Sequence, residues 1–317
     1  MYTILIMKES KGGRRMTTLR DSFFDELYKI AKKDRDVILV SADMGAPSLD
    51  KFRKDLRSQY INTGVAESNA IAVGAGLALS GKKVFVYAIA PFVTTRIYEY
   101  LKLEVSLMNI PLTILGVGTG YSYPDSGPTH HTVEDISIMR ALPNLELLCP
   151  SDNNIARTMA VNAAKTNHPI YIRLDRKPMK EKYFFPELSI EDGFREFEGK
   201  NICIVATGNT VDDALEIQKE IDSIGVIDLY RLKPVSKEFI ECLKRYKHVI
   251  SWEEHLLAGG MGSILAELIV DNNLPVKLYR IGIDDKYVYE YGSRKEIQET
   301  MGVDKKRVVE KIKDVIK

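Results

Sequence analysis

The chain has 317 residues, which is enough for two domains that each bury an apolar core. Its 45 Lys and Arg against 44 Asp and Glu leave a net charge of +1, so we expect a small molecule or a protein as partner rather than nucleic acid or a membrane. Cys149, Cys203 and Cys242 are far apart in sequence and lack metal-ligand spacing. They predict a reduced, cytoplasmic protein without a metal site of its own.

Residues 1–15 precede the first periodic pattern in the chain. Ile4–Met7 is apolar and is followed by basic residues, which reverses the order of a signal peptide. We therefore expect an N-terminal extension that is compatible with disorder, and Met16 can serve as the natural start. Apolar runs elsewhere are shorter than the roughly 18 residues that cross a bilayer.

The segment from Met16 to Asp175 alternates between two periodicities. Thr18 and Asp21 resemble an N-cap and a first-turn acid, and apolar residues then recur at helical spacing from Leu19 to Ala31. The wholly apolar run Val37–Val40 is typical of a strand that is buried on both faces. Further strands are predicted at Lys83–Ala88, Pro111–Val117, Leu145–Leu148 and Ile170–Leu174, and helices at Ala66–Leu79, Phe92–Met108, Val133–Arg140 and Asn153–Lys165. Such alternation predicts a mostly parallel sheet flanked by helices.

The composition between Asp175 and Lys200 shifts to Lys, Glu, Pro and aromatic residues without either periodicity, which predicts a linker. Alternation then resumes. Strands are predicted at Ile202–Ala206, Gly225–Leu229, His248–Trp252 and Val276–Ile281, and helices at Val211–Ile221, Met261–Val270 and Lys305–Lys317. The predicted fold class is therefore α/β with two domains, each a mostly parallel sheet flanked by helices. The boundaries are an extension at 1–15, a first domain at 16–178, a linker at 179–199 and a second domain at 200–317.

The segment Asn62–Asn69 leaves a predicted strand end and enters a helix rich in Ala and Gly. Glu67 falls in the first turn of this helix, where the helix dipole favours a carboxylate. On spacing alone, helix capping explains Glu67 because first-turn acids are common.

Seven segments together resemble the transketolase family. In the first domain they are Ser41-Ala42-Asp43, Gly64-Val65-Ala66-Glu67, Ala90-Pro91-Phe92, Gly127-Pro128-Thr129-His130 and Cys149-Pro150-Ser151-Asp152; in the second, Trp252–His255 with Gly259–Ser263. Each motif is weak alone, but they occur in family order and at the expected strand-to-helix junctions. The resemblance covers Met16 to the end, and it implies a pyrimidine-binding domain followed by a transketolase C-terminal domain.

The resemblance implies thiamine diphosphate as cofactor, with catalytic and cofactor-binding roles for Glu67. This residue matches the glutamate that hydrogen-bonds the aminopyrimidine ring, and Phe92 matches the aromatic residue that stacks on that ring. Arg96, one turn after Phe92, could reach the cofactor or a partner, but an ion pair or solvent exposure explains it equally well. Asp43 matches an acid near the cofactor and the subunit contact, although turn formation is its ordinary explanation.

The loop 116–132 is long for an α/β connection, and such loops often bind ligands. His130 matches the family histidine that faces the carbonyl and hydroxyl groups of the substrate, which implies a catalytic and substrate-binding role. Ser126 stands where transketolases have an Asp, with Asp125 one residue earlier, so donor recognition departs from the family pattern. Arg176 matches a phosphate-binding arginine, and Arg173 is a nearby alternative. The histidine that grips phosphate near the start of this loop is missing, because Gly118 and Thr119 occupy that region.

The chain contains no Gly-Asp-Gly, the segment with which the family holds the cofactor diphosphate through Mg²⁺ or Ca²⁺. The resemblance therefore implies a separate subunit that carries this domain, and an α2β2 heterotetramer that is active only when assembled. The expected function is the C-terminal subunit of a split transketolase, which transfers a two-carbon ketol unit between sugars or sugar phosphates in carbohydrate metabolism. The alternatives are the β subunit of a 2-oxo acid dehydrogenase E1 component and a non-catalytic assembly subunit. A fused deoxyxylulose phosphate synthase is disfavoured by length.

Overall fold

The computed structural model of the protein describes residues 17–179 and 189–316. Residues 1–15, which were predicted to be an N-terminal extension, lie outside these ranges, as do residues 180–188 of the predicted linker. The strands up to residue 179 are β1 Thr17–Thr18, β2 Val37–Ser41, β3 Tyr60–Asn62, β4 Lys83–Ile89, β5 Leu112–Val117, β6 Glu146–Leu148, β7 Ile170–Leu174 and β8 Pro178–Met179. The helices are α1 Leu19–Ala31, α2 Asp50–Asp55, α3 Glu67–Leu79, α4 Ala90–Val93, α5 Tyr98–Tyr100, α6 Asp135–Arg140 and α7 Asn153–Ala163.

The second half of the chain adds six strands and five helices among the described residues. The strands are β9 Phe194–Phe197, β10 Ile202–Ala206, β11 Ile224–Leu229, β12 Arg231–Lys233, β13 His248–Leu256 and β14 Lys277–Ile283. The helices are α8 Thr210–Glu220, α9 Lys237–Leu243, α10 Met261–Asp271, α11 Arg294–Met301 and α12 Lys305–Ile316. None of the helices within residues 17–179 and 189–316 has the length and apolar character that a bilayer span requires.

The larger sheet has seven strands in the order β12-β6-β7-β5-β4-β2-β3. Every pair in it is parallel except the antiparallel pair of β12 with β6. The smaller sheet has the order β14-β13-β10-β11-β9 and is parallel except at β9. The α/β class with two mostly parallel sheets is therefore confirmed.

One apolar cluster runs from one face of the larger sheet into the smaller one. It contains Ile114 and Leu147 of the larger sheet together with Val205, Ile227 and Leu265 of the second half. A separate cluster on the opposite face of the larger sheet is covered by α1 and α7. Helix α3 approaches the first face closely, since a Cβ on Gly74 would lie 2.8 Å from Cγ2 of Val86. This approach explains the small residues of α3.

Three of the differences from the sequence-based prediction concern the sheets and the segment that carries Phe92. The predicted helix Phe92–Met108 is interrupted after Val93, and the chain continues through a 3₁₀ turn and α5 into a π-helix at Leu101–Leu107. The interruption falls at the β-branched pair Thr94-Thr95, and the hydroxyl of Thr94 donates to the carbonyl of Ala90 at 2.6 Å. Strand β9 lies inside the stretch predicted as a linker. Strand β12, which was not predicted, returns from the second half to the larger sheet.

Candidate functional site

The predicted site residues lie at the carboxyl ends of the parallel strands in the larger sheet. Asp43 follows β2, Glu67 follows β3, Phe92 follows β4, His130 lies in the loop after β5 and Arg176 follows β7. Ligands of open α/β sheets bind at this edge, where the strand ends and the helix N-termini converge. The topology therefore collects these residues on one side of the sheet.

Glu67 is the first residue of α3, and only 5% of its surface is exposed. The N-cap residue, Ala66, has no side chain that could accept from the first backbone N–H groups, and these groups lie at the same end of α3 as Glu67. Nη1 of Arg96 donates to Oε2 of Glu67 at 3.2 Å, while half of the Arg96 side chain remains exposed. The carboxylate is thus buried and is paired with a cation that water still reaches.

Phe92 and Arg96 contact each other across the interrupted helix. The guanidinium carbon of Arg96 lies 4.0 Å from the centroid of the Phe92 ring, which is a close cation–π contact. Sequence spacing predicted that the two residues share a helix face. The structure brings them together differently, because α4 ends at Val93 and the following turn carries Arg96 back over the ring.

His130 is held by the turn that begins at Gly127. Its backbone N–H donates to the carbonyl of Gly127 at 3.0 Å, and Nδ1 lies 2.9 Å from the hydroxyl of Thr129. The imidazole packs edge-on against Phe92 with 5.1 Å between ring centroids. Because Nδ1 is engaged, Nε2 is the nitrogen that remains for a substrate.

Asp125 and Ser126 bind each other rather than His130. The Ser126 hydroxyl donates to Oδ1 of Asp125 at 3.3 Å, and its backbone N–H donates to the carbonyl of Tyr123. Asp125 is exposed and Ser126 is half-buried, so solvent reaches both side chains.

Asp43 is exposed and has a positive φ of 55°. Its carboxylate accepts from Nδ2 of Asn62 at 2.9 Å, and Oδ1 of Asn62 in turn accepts from the N–H of Gly64. Asp43 therefore stabilises the turn that leads into α3, and its described hydrogen bonds go to Asn62 rather than to Glu67.

Tyr123 connects His130 with Arg176. Its ring centroid lies 5.8 Å from that of His130, and the guanidinium carbon of Arg176 lies 4.1 Å from it on the ring face. Six side chains consequently form one continuous line of contacts. In order they are Glu67, Arg96, Phe92, His130, Tyr123 and Arg176. The sequence placed Tyr123 in a candidate ligand loop, but no motif assigned it a role.

A buried ionic network supports the base of this loop. Arg294 on α11 binds Asp175 at 2.7 Å and Glu254 at 3.0 Å, and Glu254 also accepts from the N–H of Tyr121. Burial alone would raise the pKa of Asp175, but the Arg294 guanidinium outweighs it and lowers this pKa. Arg294 was not among the predicted site residues, and its partner Glu254 was noticed only as part of the motif Trp252–His255.

The two C-terminal motifs bind each other and the first domain. Glu253 accepts from the N–H groups of Met261 and Gly262, and burial raises its pKa to about 7. Nε2 of His255 accepts from the N–H of Ile136 at 3.1 Å, and Nδ1 contacts the carbonyl of Leu256. Burial lowers the pKa of His255 to about 4, so this imidazole is neutral. Arg173, the alternative to Arg176, is instead buried in an ion pair with Asp135.

An apolar surface adjoins α3 on the outside of the fold. Helix α3 packs beside the π-helix at Leu101–Leu107. Large apolar side chains are exposed on or next to these two elements: Leu79, Leu103, Leu107 and Met108. This group, called the α3 apolar surface below, adjoins the helix that begins with Glu67. Exposed apolar groups of this kind mark interaction sites.

Comparisons with family models, relatives and solved structures show which known proteins this chain is similar to. A family model described as "Transketolase, pyrimidine binding domain" matches residues 15–181, and "Transketolase, C-terminal domain" matches residues 194–308. The chain is 32% identical to one of the subunits of apulose-4-phosphate transketolase from Phocaeicola vulgatus, covering 95% of this chain and 98% of that one. It is 31% identical to the 6-deoxy-6-sulfo-D-fructose transketolase subunit SqwH of a Clostridium species, covering 92% of each. A solved structure titled "Split gene transketolase, inactive beta4 tetramer" superposes with a TM-score of 0.82 at 28% identity, covering 95% and 98%.

Proposed function

The chain belongs to the transketolase family as the C-terminal subunit of a split transketolase, and we propose that Glu67 and Phe92 together bind the aminopyrimidine ring of thiamine diphosphate. A partner subunit would hold the diphosphate through Mg²⁺ or Ca²⁺. The reaction is the reversible transfer of a two-carbon ketol unit from a ketose to an aldose.

The contact of Arg96 with both Glu67 and Phe92 carries the cofactor proposal. A planar guanidinium stacks 4.0 Å from the Phe92 ring and donates an N–H to the Glu67 carboxylate. An aminopyrimidine is also planar, and it would stack on an aromatic face and hydrogen-bond a carboxyl group. Glu67 and Phe92 thus already bind one flat nitrogenous group, the Arg96 guanidinium, with the same two kinds of contact. Arg96 would then move aside to meet the cofactor or the partner subunit.

When bound, the cofactor supplies a carbon nucleophile that accepts the ketol unit. The residues of this chain would orient it and control protons nearby. Glu67 would hold a hydrogen bond to a ring nitrogen from its buried position, and Phe92 would fix the plane of the ring. His130 would offer Nε2 to the carbonyl and hydroxyl groups of the substrate, with Thr129 orienting its ring.

The Arg176 end of the line of contacts suits a sugar with an anionic terminus. Arg176 is exposed beyond Tyr123, and Asp125 and Ser126 border the same loop, where their oxygen atoms could bind sugar hydroxyls. The two relatives named above act on a sugar 4-phosphate and a 6-sulfo sugar, which supports an anionic substrate here. Asp43 would act indirectly, through the turn before α3.

The α3 apolar surface supports a partner that contacts the chain along α3, the helix that begins with Glu67. A diphosphate-binding subunit placed there would complete the cofactor site and cover Leu107 and its neighbours. Two such pairs would form the expected α2β2 heterotetramer. The three described cysteines are free and buried, which is compatible with the proposed reducing, cytoplasmic compartment.

Reconstitution tests the proposal directly. The chain alone should transfer no ketol group when supplied with thiamine diphosphate and Mg²⁺, whereas the chain mixed with a subunit that carries Gly-Asp-Gly should do so. Transfer by the isolated chain would rule out the divided cofactor site. A stable complex that is inactive with every ketose, including phosphorylated and sulfonated ones, would favour a non-catalytic role.

A further inference from the structure

Tyr123 occupies a position that neither the family motifs nor the predicted mechanism explains. It contacts His130 on one side, and its ring face carries the Arg176 guanidinium at 4.1 Å. In the line of contacts that starts at Glu67, Tyr123 is therefore the last residue before the exposed cation. A substrate that reacts beside His130 would pass Tyr123 before its far end reached Arg176.

The position of Tyr123 depends on the absence of a side chain at Gly118. A Cβ on Gly118 would lie 2.0 Å from Cε2 and 2.6 Å from Cδ2 of Tyr123, which no real contact allows. Gly118 also has φ +91°, where a side chain would strain the backbone. The tyrosine ring thus fills the space that a side chain at the start of the loop would otherwise enter.

The charges around Tyr123 indicate what this arrangement can bind. Among the described residues, Arg176 forms no ion pair with a carboxylate, whereas nearby Arg20 is paired with Asp21 at 3.1 Å. Burial raises the pKa of Tyr123, although Arg176 and Arg20 partly oppose the rise. Tyr123 is therefore a neutral phenol at neutral pH, and it holds Arg176 without neutralising its charge. An exposed guanidinium that lies on a ring face, and that pairs with no carboxylate within residues 17–179 and 189–316, is suited to a tetrahedral oxyanion.

We propose that Tyr123 is a positioning residue that sets specificity for sugars with a terminal phosphate or sulfonate, by holding Arg176 over its ring in the space that Gly118 leaves open. This inference rests on the proposed function, because it concerns the substrate of the same site. Gly118 lies in the region where the family has a histidine that grips phosphate. In this chain Tyr123, five positions later, would contribute to phosphate binding instead, by positioning Arg176.

Steady-state kinetics of the reconstituted complex test the inference. Tyr123→Leu removes the aromatic face, so KM for an aldose phosphate should rise about threefold to thirtyfold, the range expected for a cation–π contact. KM for the same aldose without phosphate should change less than about twofold, and kcat should change little. Tyr123→Phe keeps the ring and should retain most of the preference. A sulfonated sugar assayed in parallel distinguishes the two oxyanions.

A matched pair of glycine variants separates the role of Tyr123 from backbone strain. Gly118→Ala should reproduce the loss of phosphate preference, because the new Cβ displaces the ring. Gly81 has the same φ of +91° but nothing within 4 Å of an added Cβ, so Gly81→Ala should leave the preference unchanged. The inference would be overturned if Tyr123→Leu raised KM equally for the aldose with and without phosphate, or if it left the preference for the phosphorylated aldose unchanged.

A binding measurement keeps this inference distinct from the proposed function. An aldose phosphate should protect Arg176 from modification by phenylglyoxal in the wild-type complex, and protection should be lost in Tyr123→Leu. If the wild-type complex binds in this way but transfers no ketol unit, the proposed function fails and the role of Tyr123 stands. Equal protection in both proteins would overturn the role of Tyr123, whatever the activity.

Discussion

Arg294 and Asp175 join the two halves of the chain through an ion pair that water barely reaches. Nη2 of Arg294 lies 2.7 Å from Oδ2 of Asp175, whose side chain is 2% exposed. The same guanidinium binds Glu254, which is buried to the same extent. One arginine therefore balances the charges of two buried carboxylates at the base of the loop 116–132.

Replacing Arg294 should destabilise the chain strongly. Arg294→Met keeps much of the side-chain volume but leaves both carboxylates uncompensated, so we expect the free energy of unfolding to fall by about 3–5 kcal/mol. Urea denaturation measures this. Arg307→Ala is the control, because its pair with Glu310 is exposed and spans 3.8 Å; it should change stability by no more than about 0.5 kcal/mol. Equal effects would contradict the proposed importance of burial.

Glu67→Gln should block cofactor activation in the assembled enzyme without unfolding the chain. We expect exchange of the thiazolium proton of bound thiamine diphosphate to slow at least about a hundredfold, measured by NMR after deuterium labelling. Because Arg96 is half exposed, loss of their ion pair should lower stability by no more than about 1 kcal/mol. Glu99→Gln serves as control, because Glu99 is an exposed acid in α5, three residues after Arg96. Wild-type exchange in Glu67→Gln would remove Glu67 from the mechanism.

Glu253 and His255 should give opposite pH dependences of stability. Burial raises the pKa of Glu253 to about 7, so the folded chain binds more protons there than the unfolded chain above about pH 4.5, and stability falls as pH rises toward 7. Burial lowers the pKa of His255 to about 4, so stability falls as pH drops from about 6.5 to 4. Each effect is on the order of 3 kcal/mol, and in the wild-type chain they partly cancel.

Single variants should separate these two effects. Denaturation at a series of pH values should show Glu253→Gln losing stability toward pH 4, and His255→Gln losing stability toward pH 7. The wild type and both variants keep the charged groups that influence these pKa values. They are Asp135 and Arg173 near His255, and Arg280 near Glu253. Parallel profiles for the wild type and both variants would show that these residues do not titrate as inferred.

A charge placed on the α3 apolar surface should prevent assembly with the partner subunit. Leu107 is 72% exposed in this chain, so Leu107→Glu should fold normally but weaken the complex by at least about tenfold in Kd, measured by analytical ultracentrifugation. Val270→Glu is matched in exposure at 73% but lies on α10, and it should leave assembly unchanged. Normal assembly of Leu107→Glu would place the interface elsewhere.

The sequence predicted most of the larger sheet because its strands are short apolar runs between helical periodicities. It also predicted a helix that begins at Ala66 with Glu67 in its first turn, and the N-cap Thr18, whose side chain accepts from the N–H of Asp21. These features are local, since a cap or a buried strand is written in a few consecutive residues. In the sequence, the candidate site residues follow predicted strands. A parallel sheet necessarily places the carboxyl ends of its strands at one edge, so these residues were expected to lie on one side of the sheet.

The contacts among those residues were decided by the tertiary structure. Arg294 and Asp175 are 119 positions apart, and no periodicity links them. The contact of Arg96 with Phe92 depends on a helix interruption, and that of Tyr123 with Arg176 depends on the path of a long loop over Gly118. Local patterns fix where a strand or helix begins and ends, whereas side-chain contacts between loops arise only when distant segments pack together. For this reason the sequence alone indicated the family and the edge of the sheet, and only the fold showed which side chains form the line from Glu67 to Arg176.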